Sequence, residues 1–92
     1  MAVNQGEITA RQIAAARALL GWTQEDLRVA TKLGIATIRR LEDTETSRKV
    51  TSANRALVHQ TLEDAGVIFE DAIPASDHGP GVRLRLQEET ET

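Results

Sequence analysis

The stretch from Thr23 to Glu42, TQEDLRVATKLGIATIRRLE, restricts what this chain can fold into more than any other. Thr23 followed three residues later by Asp26 is a capping pair that can satisfy the free amides of a helix start, and Trp22 with Leu27 can staple the entry. A helix is therefore predicted to begin at Gln24. Its semi-apolar face, Leu27, Ala30 and Thr31, is interrupted at Leu33-Gly34, and helical spacing resumes with Ile38 and Leu41. Two helices of about eight residues with so short a joint must cross steeply.

The flanking elements follow from the same signals. Thr9 and Gln12 make a second capping box, stapled by Ile8 and Ile13, so a first helix is predicted from about Ala10 to Leu20. Ile13, Ala16 and Leu20 should face the core, and Gly21 should stop the helix. After Glu42 the segment DTETSRKVTS has no apolar periodicity and reads as a loop. A fourth helix, about Ser52 to Asp64, is expected to bury Ala53, Leu57, Thr61 and Leu62, and Ala65-Gly66 to close it.

Val67-Ile68-Phe69 and Val82-Arg83-Leu84-Arg85-Leu86 have the β-branched and alternating patterns of strands, separated by a connection rich in Pro, Gly and Asp. The predicted fold class is thus mainly α, four helices followed by a short C-terminal β-strand pair. An isolated two-stranded hairpin is marginal in water, so it needs a partner surface. It can fold back on its own helices, with Val82, Leu84 and Leu86 completing the core. It can also pair across a two-fold axis with a second subunit, making Val67, Phe69, Val82, Leu84 and Leu86 dimerisation residues. Residues 1–7 are expected to fray, residues 8–66 to form the helical domain, 67–86 the strand pair, and the final QEETET, residues 87–92, a disordered acidic tail.

One Trp, one Phe and no Tyr in 92 residues require an aliphatic core. Without Cys there is no disulfide framework and no thiolate metal site. The first residues carry neither a basic flank nor an apolar run, and no stretch is apolar enough to span a bilayer, so a cytoplasmic location away from membranes is expected. The net charge of −3 conceals an asymmetry: residues 1–50 carry eight Lys/Arg against six Asp/Glu, and residues 51–92 three against eight. The first half is +2 and the second −5, which suits a basic face presented to a polyanion with an acidic end held away from it.

Nothing in the pattern points to an enzyme. His59 falls mid-helix and His78 in a Gly/Pro loop, neither with a partner at ligand or catalytic spacing. Gly79, Pro80 and Gly81 precede a strand, where a phosphate-binding loop would follow one. The acid pairs Glu25-Asp26, Glu42-Asp43 and Glu63-Asp64 sit on helix surfaces or ends, so no cofactor or metal is expected.

Thr23, Gln24, Leu27, Leu33, Thr37, Ile38, Leu41 and Glu42, taken together without a gap, resemble the motif of the Cro/cI-like (XRE family) helix-turn-helix transcriptional regulators. The match runs from Arg17 to about Ala65, and the ending AGV-x-F followed by GPGVRL resembles a subset of small bacterial members with C-terminal strands. The resemblance implies a lambda-repressor-like domain in which Arg17 pairs with Glu42, tying the first helix to the third. Two positions depart from the family. The turn glycine is replaced by Lys32, where positive φ costs roughly 1 kcal/mol, with Gly34 two residues on as the other residue able to relieve the turn. The small residue usual inside the first motif helix is Arg28, so either the helices sit farther apart or the Arg stem snorkels outward.

Carried over by residue, the resemblance places a recognition helix, about Ile35 to Glu42, in the DNA major groove. Gly34, Ile35, Ala36 and Arg40 become the base-reading positions. Ile35 and Ala36 can only touch thymine methyls or fit groove shape, whereas Arg40 can be bidentate to guanine. Gln24, Thr37, Arg39, Arg48 and Lys49 become phosphate contacts, Gln24 aided by its helix N-terminus. The function implied is sequence-specific binding of double-stranded DNA by a homodimeric transcriptional regulator, such as a repressor, with recognition helices roughly 34 Å apart. The alternative is a protein-interaction module of the same fold, an antitoxin or a modulator of another regulator, with weak DNA contact and a protein partner. The acidic total charge and the apolar Ile35-Ala36 tip favour it.

Overall fold

A computed structural model describes residues 7–86. Of the segment 1–7 expected to fray, residues 1–6 lie outside the described residues, as does the acidic tail at 87–92. Four helices are followed by a two-stranded antiparallel sheet: α1 (Ala10–Leu20), α2 (Gln24–Thr31), α3 (Ile35–Glu42), α4 (Ser52–Asp64), β1 (Val67–Glu70) and β2 (Gly81–Leu84). Single 3-10 turns occupy Ser47–Lys49 and Pro74–Ser76.

The caps decide where the helices begin. Thr9 and Gln12 exchange side-chain and backbone hydrogen bonds at 2.9 and 3.0 Å, and Thr23 and Asp26 do the same at 2.8 and 3.0 Å. Gly21 ends α1 in the left-handed conformation, φ 74°. Lys32 ends α2 in that conformation too, φ 66°, while Gly34 is extended at φ −72°. The turn is therefore relieved at the lysine, because the left-handed residue must directly follow the last helical turn, and Gly34 already belongs to the next helix as its N-cap. Arg28 snorkels: its guanidinium leaves the α2–α3 contact and bonds Glu25 at 2.6 and 2.9 Å. That bond holds the Glu25 carboxyl below the usual carboxylate range.

The core is aliphatic throughout: Ile8, Ile13, Ala16, Leu27, Ile38, Leu41, Val58, Leu62 and Val67, with Trp22 and Phe69 packed at its margin. The face of α4 differs from expectation. Arg55, Val58 and Leu62 are buried, while Ala53 is exposed and Leu57 is 41% exposed. Apolar residues are spread around this helix, so periodicity fixes its phase poorly, and the positions seven apart, Arg55 and Leu62, take the inward stripe. His59 stacks edge-on against Phe69, ring centroids 4.7 Å apart, which makes it a packing residue.

β1 and β2 pair with Val67 opposite Leu84 and Phe69 opposite Val82. The sheet folds back on its own helices, β2 lying along α1 and β1 against α4. Gln12 of α1 secures it: the amide oxygen that completes the capping box leaves Nε2 free to donate to Glu70 O at 3.1 Å and Gly81 O at 3.0 Å. This placement realises the fold-back for part of the set named for dimerisation. Val67 is 1% exposed inside its own protomer, and Phe69 and Val82 pack on the same core. Leu84 and Leu86 do not complete the core. The strand ends at Leu84, which is 45% exposed, and Leu86 beyond it is 90% exposed.

Candidate functional site

α3 buries Ile38 and Leu41 and turns Ala36, Arg39 and Arg40 outward. These three stand at i, i+3 and i+4, one stripe of the helix surface. Gly34 is exposed at the head of the stripe, and no side chain caps the N-terminus of α3. Thr37 and Ile35 lie on the shoulders, half-buried, and Ile35 packs against the core. Of the four expected base-reading residues, Gly34, Ala36 and Arg40 are thus freely presented, while Ile35 serves chiefly to seat the helix.

The orientation of α3 is fixed from behind by a network of four residues. Arg17 Nε and Nη2 donate to the two oxygens of Glu42 at 2.8 and 2.9 Å, and Nη1 donates to Trp22 O at 2.9 Å. The pairing expected between α1 and the end of α3 is present. It is more buried than a surface pair, with side-chain exposures of 21% for Arg17 and 7% for Glu42. Its hydrogen bonds to Glu42 raise the Arg17 pKa further, so the guanidinium stays charged.

Gln24 completes the network, Nε2 donating to Glu42 Oε1 at 3.1 Å. The side chain expected at a phosphate is thus engaged in this structure by a largely buried carboxylate with spare acceptor capacity. The first backbone amides of α2 remain at the helix N-terminus, where a helix dipole favours anions.

The cations of the described residues are of two kinds, paired and unpaired. Arg17, Arg28, Arg55 and Arg83 each face a carboxylate. Lys32, Arg39, Arg40, Arg48 and Lys49 are exposed and, among the described residues, have no ion-pair partner. These five run from the α2–α3 turn through α3 to the 3-10 turn; Arg11 on α1 and Arg85 after β2 are likewise exposed and, among the described residues, without an ion-pair partner. The segment after α3 is held by Thr46 Oγ1 donating to Arg40 O at 3.0 Å, and by Arg55 of α4 donating to Ser47 Oγ at 2.9 Å and Ser47 O at 2.5 Å. Two short tethers thereby fix the backbone on which Arg48 and Lys49 stand.

Sequence reasoning missed Gln12, Thr46, Ser47 and Arg55. Only Gln12 had a local signal, its capping-box spacing, and that signal says nothing of the strands it clamps. Arg55 lies three residues before Val58 and seven before Leu62, a polar residue on the buried stripe, visible only once the phase of α4 is known.

No protein-family model matches the chain, and no curated protein matches it. Among the described residues no three His, Asp or Glu side chains gather as metal ligands, and no helix is long and apolar enough to cross a membrane.

Proposed function

We propose that this protein is a small, cytoplasmic, homodimeric transcriptional regulator of the Cro/cI-like helix-turn-helix type that binds double-stranded DNA with α3 in the major groove. The observation that carries the reading is the stripe of Ala36, Arg39 and Arg40: two guanidinium groups without carboxylate partners on a short helix whose opposite side is locked by Arg17, Glu42 and Gln24. An arginine held on a rigid helix can read guanine through O6 and N7, at about 1–3 kcal/mol of discrimination. Arg39, Thr37, Arg48 and Lys49 supply phosphate contacts, joined by the N-terminal amides of α2.

Two such domains double the contact. Leu84 and Leu86, with Leu19 of α1 at 43% exposure, remain as apolar surface for a second subunit after Val67, Phe69 and Val82 are taken up by the core. The exposed leucines equally support the second reading, a protein-interaction module with weak DNA contact. Selection of bound duplexes from a randomised pool at low and moderate salt separates the two. Enrichment of one partly palindromic motif with a steep salt dependence supports the regulator. Binding without enrichment supports the module.

A further inference from the structure

Between the N-terminus of α1, the turn at Ser47–Lys49 and the start of β2 lies a groove of about 670 Å³. Its wall is mainly apolar, with Ile8, Ala10, Ala15, Pro80 and Val82 contributing. That volume and lining suit a small organic molecule, provided a few polar groups fix its orientation.

One such group is Arg55, which lines the groove and is only 7% exposed. A buried guanidinium requires both a counter-charge and hydrogen-bond acceptors for its donors. Ser47 takes one donor from each terminal nitrogen through its hydroxyl and carbonyl. Among the described residues the fork left without a hydrogen-bond partner is the side edge, Nε with the adjacent nitrogen. The nearest carboxylate there is Glu7, whose Oε1 stands 3.9 Å from Nε and whose side chain is 54% exposed. That distance is beyond a hydrogen bond. Arg17 supplies an internal standard for the same fork when it is filled, with two carboxylate oxygens at 2.8 and 2.9 Å. A planar carboxylate is the anion this edge fits two-to-two.

We propose that the groove binds a small organic carboxylate with an apolar body of several carbons, its carboxylate closing on the side edge of Arg55 in place of Glu7 and its chain lying against Ile8, Ala10 and Val82. The site does not depend on the DNA-binding reading. It does touch the same machinery, because Arg55 holds the residue directly before Arg48 and Lys49.

The test is a titration of the full chain, without DNA, with octanoate at submillimolar concentration, using octanol and acetate as probes lacking the head or the body. Melting temperature and amide chemical shifts are the readouts. Octanoate is expected to raise Tm and to move the amides of Ala15, Ser47 and Val82, with octanol and acetate weaker by about tenfold or more. Arg55→Lys keeps the charge but loses the fork, and should weaken octanoate by about tenfold. Ala15→Trp alters an exposed wall and leaves the Arg55–Ser47 bonds untouched; it should block the groove even if the Arg55 variant fails to fold. Octanol acting as strongly as octanoate, unchanged octanoate binding by Ala15→Trp, or no response to octanoate at all would each overturn the proposal.

Discussion

Two regions of this small domain use the same side chain in opposite ways. Behind α3, Arg17 is half-buried, bidentate to Glu42 and supported by Trp22 and Gln24. In front, Arg39 and Arg40 stand exposed without a carboxylate partner, and Lys32, Arg48 and Lys49 continue the unpaired series on either side. A guanidinium whose side edge and charge are already taken by a carboxylate is poorly placed to meet a phosphate or a base as well, so it chiefly positions other groups. An unpaired one adds little to folding and is free to bind. The rear arginine should therefore register in stability and the front cations in salt-dependent binding.

Removing the rear arginine is the strongest way to break that comparison. Arg17→Ala leaves Glu42, with a side chain only 7% exposed, holding a charge against Gln24 alone. Stranding one member of a fully buried pair costs about 3–5 kcal/mol, and the partial exposure of Arg17 lowers this to about 2–4 kcal/mol. For a domain of this size that is a fall of roughly 10 °C or more in Tm by calorimetry. Affinity for a selected duplex should also fall, with an unchanged slope of log K against log salt. A lower slope would mean that Arg17 meets the phosphates itself, and the division would be wrong.

The front cations should give the converse result, and they differ among themselves. Arg40→Ala is expected to relax preference at one base position by about 1–3 kcal/mol without changing Tm. Lys49→Ala should weaken all duplexes alike and lower the salt slope by about 1. Selection experiments with both variants decide the matter. If Arg40→Ala also weakens every sequence uniformly, base reading does not reside in that residue.

A fourth substitution tests whether the strand pair is independent of this division. Gln12→Glu keeps an acceptor for the amide of Thr9 but removes the two donors to Glu70 O and Gly81 O. Setting a carboxylate against two carbonyls should destabilise the fold by about 1–3 kcal/mol. Hydrogen exchange should quicken first in β1 and β2 while α3 stays protected, since the sheet is held through α1 and α4. Uniform acceleration across the molecule would show that sheet and helices unfold as one unit.

How far all this could be read beforehand depends on whether the cause was local. Both capping boxes and the boundaries of α1, α2 and α4 follow from residues within about one turn of one another, and the aliphatic core from composition; the bounds of α3, which has no side-chain cap, came with the family resemblance. The pairing of Arg17 with Glu42 spans 25 positions and came only through family resemblance. The inward face of α4 is ambiguous in the sequence because Ala53, Leu57 and Val58 are all apolar, and a tertiary contact, Arg55 with Ser47, selects among the possible phases. Gln12 as a clamp on two strands some 58 and 69 positions away had no sequence signal at all. For Leu84 and Leu86 the alternation leaves two places open, the protein's own core or a second subunit, because it reveals which residues share a face and not what covers that face; both are exposed in the protomer.

Lys32 belongs to both sides of the comparison and gives the smallest and most discriminating effect. It is an unpaired front cation, yet it alone among them occupies a backbone conformation that disfavours its side chain, φ 66°. Lys32→Gly removes that strain, offset in part by the greater freedom of glycine in the unfolded chain, for a net gain of about 0.5–1 kcal/mol. Tm should rise by a few degrees while the salt slope falls, so stability and binding move in opposite directions in one variant. Lys32→Asn separates the causes, because asparagine tolerates the left-handed region and, like glycine, carries no charge. If the Gly and Asn variants lower the salt slope equally but only Gly raises Tm by the larger margin, the two roles of the position are independent. If neither changes the slope, Lys32 lies outside the DNA-facing series, and the cationic front begins at Arg39.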